Sequence, residues 1–165
     1  MNMNKKKEGQ EKRVRMAELS VGKAPDVLVT IGLGSCVGVA IYDRRNKIGG
    51  LVHIMLPENK KNAKKAKYAD TGIPFLIEKM VKLGASKRRL TAKIAGGARM
   101  FNISDESSNM NIGERNIEAV HRILEQEKIE LLGEDVGKNY GRSMRFFTGD
   151  GNVLITSHKK DDINL

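Results

Sequence analysis

Two apolar, β-branched runs, Val27-Leu28-Val29-Thr30-Ile31 and Val37 to Tyr42, flank the glycine-rich stretch Gly32-Leu33-Gly34-Ser35-Cys36. Glycine frees the backbone for a sharp turn, and β-branched side chains favour strands, so the pattern predicts strand, tight loop, strand. Turn residues Asp43 to Lys47 then lead into a third strand, Ile48 to Leu56. Pro57 ends it, because proline has no N–H to give to a ladder. A glycine-rich loop after a strand also invites a phosphate-binding reading, and here that reading fails. Val37 stands where a dinucleotide fingerprint needs its third glycine, and a strand rather than a helix follows. The Lys-Ser/Thr pair of a Walker A loop is missing. Leu33 occupies the first glycine position of a Gly-x-Ser-x-Gly elbow.

Beyond this region the signals alternate. A helix is predicted from Asp70 or Thr71, as cap, to about Leu83, with Phe75, Leu76, Met80 and Leu83 on one face. Pro74 is placed in its first turn and Gly84 at its stop. Leu90 to Ala95 reads as a strand running into Gly96-Gly97. A second helix, about Gly113 to Lys128, carries the apolar stripe Ile117, Val120 and Leu124. Ile129 to Leu132, Met144 to Thr148 and Val153 to Thr156 read as strands, the last two joined by the hairpin signal Gly149-Asp150-Gly151-Asn152. The order implies an α/β fold of mixed β-sheets layered with two or three helices, not a regular doubly wound sheet. The division expected is a disordered basic arm over 1–13, one domain over 14–157 and a polar tail over 158–165.

The 165 residues carry a net charge of +10, with 30 lysines and arginines against 20 acidic residues. The cations cluster at Lys5 to Arg15, Lys60 to Lys67, Lys87 to Arg89, and Lys159 and Lys160. Such a field attracts nucleic acid and acidic protein alike. Trp is absent and aromatics are only 4%, so platforms for stacking bases are few, and no specific nucleic-acid binding is expected. No apolar run approaches the roughly 20 residues of a spanning helix, and no apolar core follows the basic N-terminus, so neither membrane insertion nor a secretory signal is expected. One cysteine forms no intramolecular disulfide and suits a cytoplasmic location.

Cys36 is the strongest chemical candidate. Glycines beside it allow close approach of a substrate, and freed amides around Gly34, Ser35 and Val37 could line an oxyanion hole. His53 lies on the strand expected to return beside Cys36, within reach as a base that activates the thiol near neutral pH. Thr30, on the strand entering the loop, could orient the imidazole through its hydroxyl or its carbonyl. The residue types alone leave a second reading open, in which Cys36 is a small core residue. His121 reads as a half-buried structural residue and His158 as solvated. The spacing of one cysteine and three histidines gives no metal site.

These segments resemble the CheD family. The carriers are Thr30 to Val37, His53-Ile54-Met55-Leu56-Pro57, Gly96-Gly97-Ala98-Arg99-Met100-Phe101, Asn111 to Asn116, and Gly141 to Phe146, in consistent order from about Met16 to Thr156. The resemblance implies a fold related to toxin-type deamidases and glutamine deamidation of methyl-accepting chemotaxis receptors, with no cofactor. It implies Cys36 as nucleophile, His53 as base and Thr30 as the orienting residue. It also implies CheC, a phosphatase, as a partner, and the shared acyl group allows a glutamyl methylesterase side activity. A non-catalytic module binding CheC or receptors is the alternative. The loop holding Arg99, Met100 and Phe101 is expected either to close the core or to present an anchor to a partner helix. One departure is Lys138, where the family pattern has a second glycine after Gly137.

Overall fold

The computed structural model describes residues 8–100 and 111–165. Among these residues, ten strands form two five-stranded sheets. They are β1 (Glu11–Arg13), β2 (Leu19–Lys23), β3 (Val27–Leu33), β4 (Val37–Asp43), β5 (Ile48–Ile54), β6 (Leu90–Gly96), β7 (Glu130–Val136), β8 (Arg142–Phe147), β9 (Val153–Thr156) and β10 (Ile163–Asn164). One sheet runs β1-β3-β8-β9-β10 and the other β2-β5-β4-β6-β7. Helices α1 (Ala69–Leu83) and α2 (Ile112–Gln126) cover the outer face of the second sheet. The expected α/β fold with mixed sheets is the fold observed.

The alternation of β4 explains the layering. Val37, Val39 and Ile41 face the helices, where Ile73, Leu76, Met80, Val120 and Leu124 complete one core. Cys36, Ala40 and Tyr42 face the other sheet and meet Leu28, Leu33, Met144 and Phe146 in a second core. Because both faces of β4 and β5 are covered, all fourteen of their residues are buried. This two-sided burial accounts for their continuous apolar runs.

Several boundaries differ from the sequence expectation. Residues 11–13, placed in the disordered arm, form β1, parallel to β3 in the register Glu11↔Val27. Residues 163 and 164, placed in the polar tail, form β10 against β9, and Leu165 exchanges backbone bonds with Val153. Both are edge strands held by main-chain pairing, which carries no side-chain periodicity. α1 begins at Ala69 with no side-chain cap from Asp70 or Thr71. Its first amides are taken instead by the carbonyls of Leu56 (3.0 Å) and Pro57 (3.3 Å). Asp70 accepts from the Asn59 amide and Thr71 donates to the Lys65 carbonyl. Pro74 therefore falls in the second turn rather than the first. α2 has the side-chain cap that α1 lacks: Asn111 Oδ1 accepts the Glu114 amide at 2.9 Å.

Candidate active site

β4 and β5 pair antiparallel with Gly38 opposite His53. Cys36 lies two residues before Gly38, so it shares the inward face of β4 and is the diagonal neighbour of His53. Diagonal positions on one face stand about 7–8 Å apart at Cα, within reach of a ring side chain. The return strand thus brings thiol and imidazole to one face, as the turn at 43–47 implied. Gly38 lets Met144 and Leu33 pack directly against that face, because a Cβ there would run into Met144 Sδ and Leu33 Cδ1.

His53 and Thr30 are both fully buried. They come from different sheets, and the Thr30 hydroxyl lies 2.7 Å from His53 Nδ1. The same hydroxyl is 2.7 Å from the Val14 carbonyl, which can only accept. Thr30 has one proton and gives it to Val14, so Nδ1 must be the donor to Thr30. The hydroxyl, rather than the carbonyl, of Thr30 therefore meets the imidazole. This leaves Nε2 with the lone pair, and Nε2 has no hydrogen-bond partner among the described residues. Val14 reaches this position because β1 runs parallel to β3 and the Val14 amide donates to the Val29 carbonyl at 2.7 Å.

Burial sets the charge state. It pulls His53 from an ordinary 6.5 down to about 4 and pushes the Cys36 thiol up. The resting pair is therefore neutral thiol and neutral imidazole at pH 7.

The loop is held from three sides. The Gly97 amide donates to the Cys36 carbonyl and the Ala98 amide to the Gly34 carbonyl, both at 2.8 Å. Gly96 adopts φ +113°, and a Cβ there would collide with the Cys36 carbonyl. From α2, the buried Asn116 donates Nδ2 to the carbonyls of Ser35 and Met55, each at 2.9 Å. That one amide group ties the end of the cysteine loop to the end of the histidine strand. From the other sheet, buried Arg142 binds Asp135 (2.9 Å) and the Gly137 carbonyl (2.8 Å), while the Gly137 amide donates to the Gly96 carbonyl (2.9 Å).

The other candidates fall as follows. The Gly34 amide is taken by the Gly32 carbonyl at 3.2 Å, and Val37 lies within β4. The Ser35 and Cys36 amides have no acceptor among the described residues. Arg99 is exposed and its amide donates to the Lys138 carbonyl; Met100, 46% exposed, stands against Gly34. Phe101 lies outside the described residues. His121 is half-exposed and bonded to Glu134 at 2.6 Å on the surface, and His158 is exposed. Lys138 adopts φ +61°, a left-handed conformation in which the glycine of the family pattern is the unstrained choice. Asn116, Val14 and Arg142 were not singled out as functional from the sequence. Asn116 meets carbonyls 81 and 61 positions away and Val14 meets a hydroxyl 16 positions on, relations that leave no local pattern, whereas Arg142 binds the nearby Asp135 and Gly137.

Comparison with known proteins agrees with this arrangement of motifs. The family profile described as "CheD chemotactic sensory transduction" matches residues 55–157. A Caldanaerobacter subterraneus protein named "Probable chemoreceptor glutamine deamidase CheD" is 51% identical over 146 residues, covering 87% of this chain and 90% of that protein. A protein of the same name from Clostridium botulinum strain Hall is 53% identical over 148 residues, covering 88% of this chain and 91% of its own. Among solved structures, the Neisseria meningitidis protein NMB0706, of the DUF152 family, shares the fold with a TM-score of 0.52 at 10% identity, over 84% of this chain and 75% of that one. Such identity over nearly the full length of its relatives, with a matching profile, means that the chain belongs to the CheD family.

Proposed function

We infer that the chain is a chemoreceptor glutamine deamidase, a hydrolase acting on glutamine side chains of proteins, and we propose that Cys36 is its nucleophile. The activity rests on relatives 51% and 53% identical over most of the chain, whose name states it. The assignment of residues rests on one observation, the orphaned Nε2 of His53 on the face it shares with Cys36.

In the mechanism, His53 Nε2 takes the Cys36 proton as the sulfur attacks the side-chain amide carbon of glutamine. Thr30 and the Val14 carbonyl keep Nδ1 protonated and the ring fixed, so the imidazolium that forms has its positive charge hydrogen-bonded. The amides of Ser35 and Cys36 receive the oxyanion. Nε2–H then protonates the departing ammonia, leaving a thioester on Cys36. Water, deprotonated by His53, attacks the thioester carbon; the C–S bond breaks, glutamate leaves and the thiol is restored. Glutamine and water give glutamate and ammonia, and every proton passes through one nitrogen. A glutamyl methyl ester offers the same acyl group, so slow methylesterase activity belongs to the same proposal.

The neutral resting pair fits this scheme if substrate triggers ionisation. A polar amide entering the cleft and the amides of Ser35 and Cys36 stabilise charge that the empty pocket disfavours. CheC as a second partner and the cytoplasm as the location are part of the same reading, supported by the family resemblance.

The test is mass spectrometry of a chemoreceptor cytoplasmic fragment incubated with the protein. A gain of about one dalton per modified glutamine is expected, together with ammonia release. Cys36→Ala is expected to abolish both while retaining the melting transition, since loss of one thiol leaves only a small cavity. Equal turnover by wild type and Cys36→Ala overturns the nucleophile. Receptor binding without turnover in the wild type favours the non-catalytic module.

A further inference from the structure

The basic segment before α1 has no part in the chemistry above, yet it borders the site. A groove of about 680 Å³ opens between this segment, the N-terminal end of β2 and α1. Ala17, Leu19, Ala66 and Phe75 form its apolar floor, and Lys64, Lys65 and Lys79 its rim. The ammonium groups of Lys65 and Lys79 lie over the Phe75 ring, 5.1 and 4.8 Å from its centre. None of the three lysines forms an ion pair among the described residues. The nearby carboxylates are engaged elsewhere. Glu18, also in the wall, accepts from the Arg15 amide, Glu78 pairs with Lys82, and Glu58 faces Lys60 and Arg122.

Main chain connects this groove directly to the candidate active site. The Ala17 amide donates to the His53 carbonyl and the His53 amide to the Glu18 carbonyl, each at 3.1 Å. At the end of the basic segment, the Lys67 carbonyl accepts the Met55 and Leu56 amides at 2.8 and 3.1 Å. Met55 is the residue whose carbonyl shares Asn116 with that of Ser35.

We propose that this groove docks an acidic segment of the receptor substrate, next to the glutamine delivered to Cys36. The proposal rests on the deamidase reading. An apolar floor takes an aliphatic side chain, and unpaired lysines on the rim take the carboxylates flanking it. Nucleic acid is disfavoured because the ring face it would stack on is covered by two ammonium groups.

The experiment compares the full-length wild type with Lys64→Gln/Lys65→Gln/Lys79→Gln, measuring steady-state deamidation and direct binding of a chemoreceptor cytoplasmic fragment. The triple variant is expected to raise KM and Kd roughly tenfold at low ionic strength, with kcat retained, and the gap is expected to close as salt screens the rim. Poly-L-glutamate is expected to compete with the fragment on wild type and to lose that effect on the variant. Melting temperature and the alkylation rate of Cys36 report that fold and site are intact. Unchanged KM and Kd in the triple variant overturn the groove while deamidation itself stands. Tight binding through the groove with no ammonia released leaves the groove standing and removes the deamidase reading. Loss of binding to phosphatidylglycerol vesicles or to duplex DNA, with receptor KM unchanged, overturns the proposal in favour of those surfaces.

Discussion

The Thr30 hydroxyl holds His53 Nδ1 at 2.7 Å while giving its only proton to the Val14 carbonyl, so a residue of one sheet fixes the tautomer of a residue of the other. Thr30→Val removes both bonds at nearly constant volume. Nδ1–H and the Val14 carbonyl are then buried without partners, at about 1–3 kcal/mol each. The expected result is a lower melting temperature and a kcat reduced at least tenfold, in line with losing the orientation of a general base. Thr30→Ser keeps the hydroxyl and is expected to recover most of kcat. Equal kcat for Val and Ser variants would show that the hydroxyl has no role in positioning the base.

The depressed His53 value predicts an unusual pH dependence. Burial moves the imidazole from 6.5 to about 4, so the free base persists well into acid and the acid limb of kcat/KM is expected near pH 4. Stability follows with a definite sign. Between pH 6.5 and about 4 the unfolded chain binds a proton at this position and the folded chain does not. The contribution of His53 is therefore complete above pH 6.5 and is lost as pH falls toward 4. Burial of the raised Cys36 thiol acts at the other end, with its contribution lost as pH rises past the ordinary thiol range. Urea unfolding at a series of pH values, compared between wild type and His53→Gln, checks the acid side. The wild-type slope should exceed that of the variant by up to about one proton.

Much of this site was legible because strands leave strong local signals. The β-branched runs around Gly32 to Cys36 and the turn at 43–47 imply an antiparallel pair, and the observed register places Cys36 and His53 on one face. The carbonyl behind Thr30 was not legible. β1 is Glu11-Lys12-Arg13, whose side chains are mostly solvent-facing, and only its backbone pairing delivers the Val14 carbonyl to Thr30. Asn116 was equally hidden. A lone asparagine in an amphipathic helix reads as a residue turned toward solvent, and its carbonyl partners lie 81 and 61 positions away. The cap of α1 misled for a related reason, since carbonyls of Leu56 and Pro57 satisfy amides that a local pattern assigns to Asp70 or Thr71.

Gly96 is expected to be as sensitive as a catalytic residue without touching substrate. Its φ of +113° suits glycine, and a methyl group would meet the Cys36 carbonyl directly. Gly96→Ala must either shift β6 or push the Cys36 loop away. A stability loss of about 1–3 kcal/mol is expected from the strained conformation and overpacking. Deamidation per folded molecule is expected to fall with it, because a displacement near 1 Å at a reacting group can cost about a hundredfold. Thermal melting together with kcat at a temperature where both proteins are folded separates the two effects. Full kcat in the folded variant would show that the loop tolerates the shift.

Asn116 gives the sharpest separation between holding the site and performing its chemistry. Its Nδ2 bridges the Ser35 and Met55 carbonyls, and its buried Oδ1 has no partner among the described residues. Asn116→Leu keeps the bulk but takes the partner from two carbonyls of half-buried residues, at up to about 1–3 kcal/mol each. Asn116→Asp keeps the shape yet sets an acceptor against two acceptors, with a buried charge added, and is expected to be worse. Because the bridge joins the cysteine loop to the end of the histidine strand, its loss is expected to lower kcat more than it raises KM. A second measurement excludes general unfolding. Hydrogen exchange should show the Gly97, Ala98, Met55 and Leu56 amides, which are bonded around the bridged segments, losing protection while those of β8 and β9 keep theirs. Uniform loss of protection across both sheets, with kcat per folded molecule unchanged, would reduce Asn116 to an ordinary core residue.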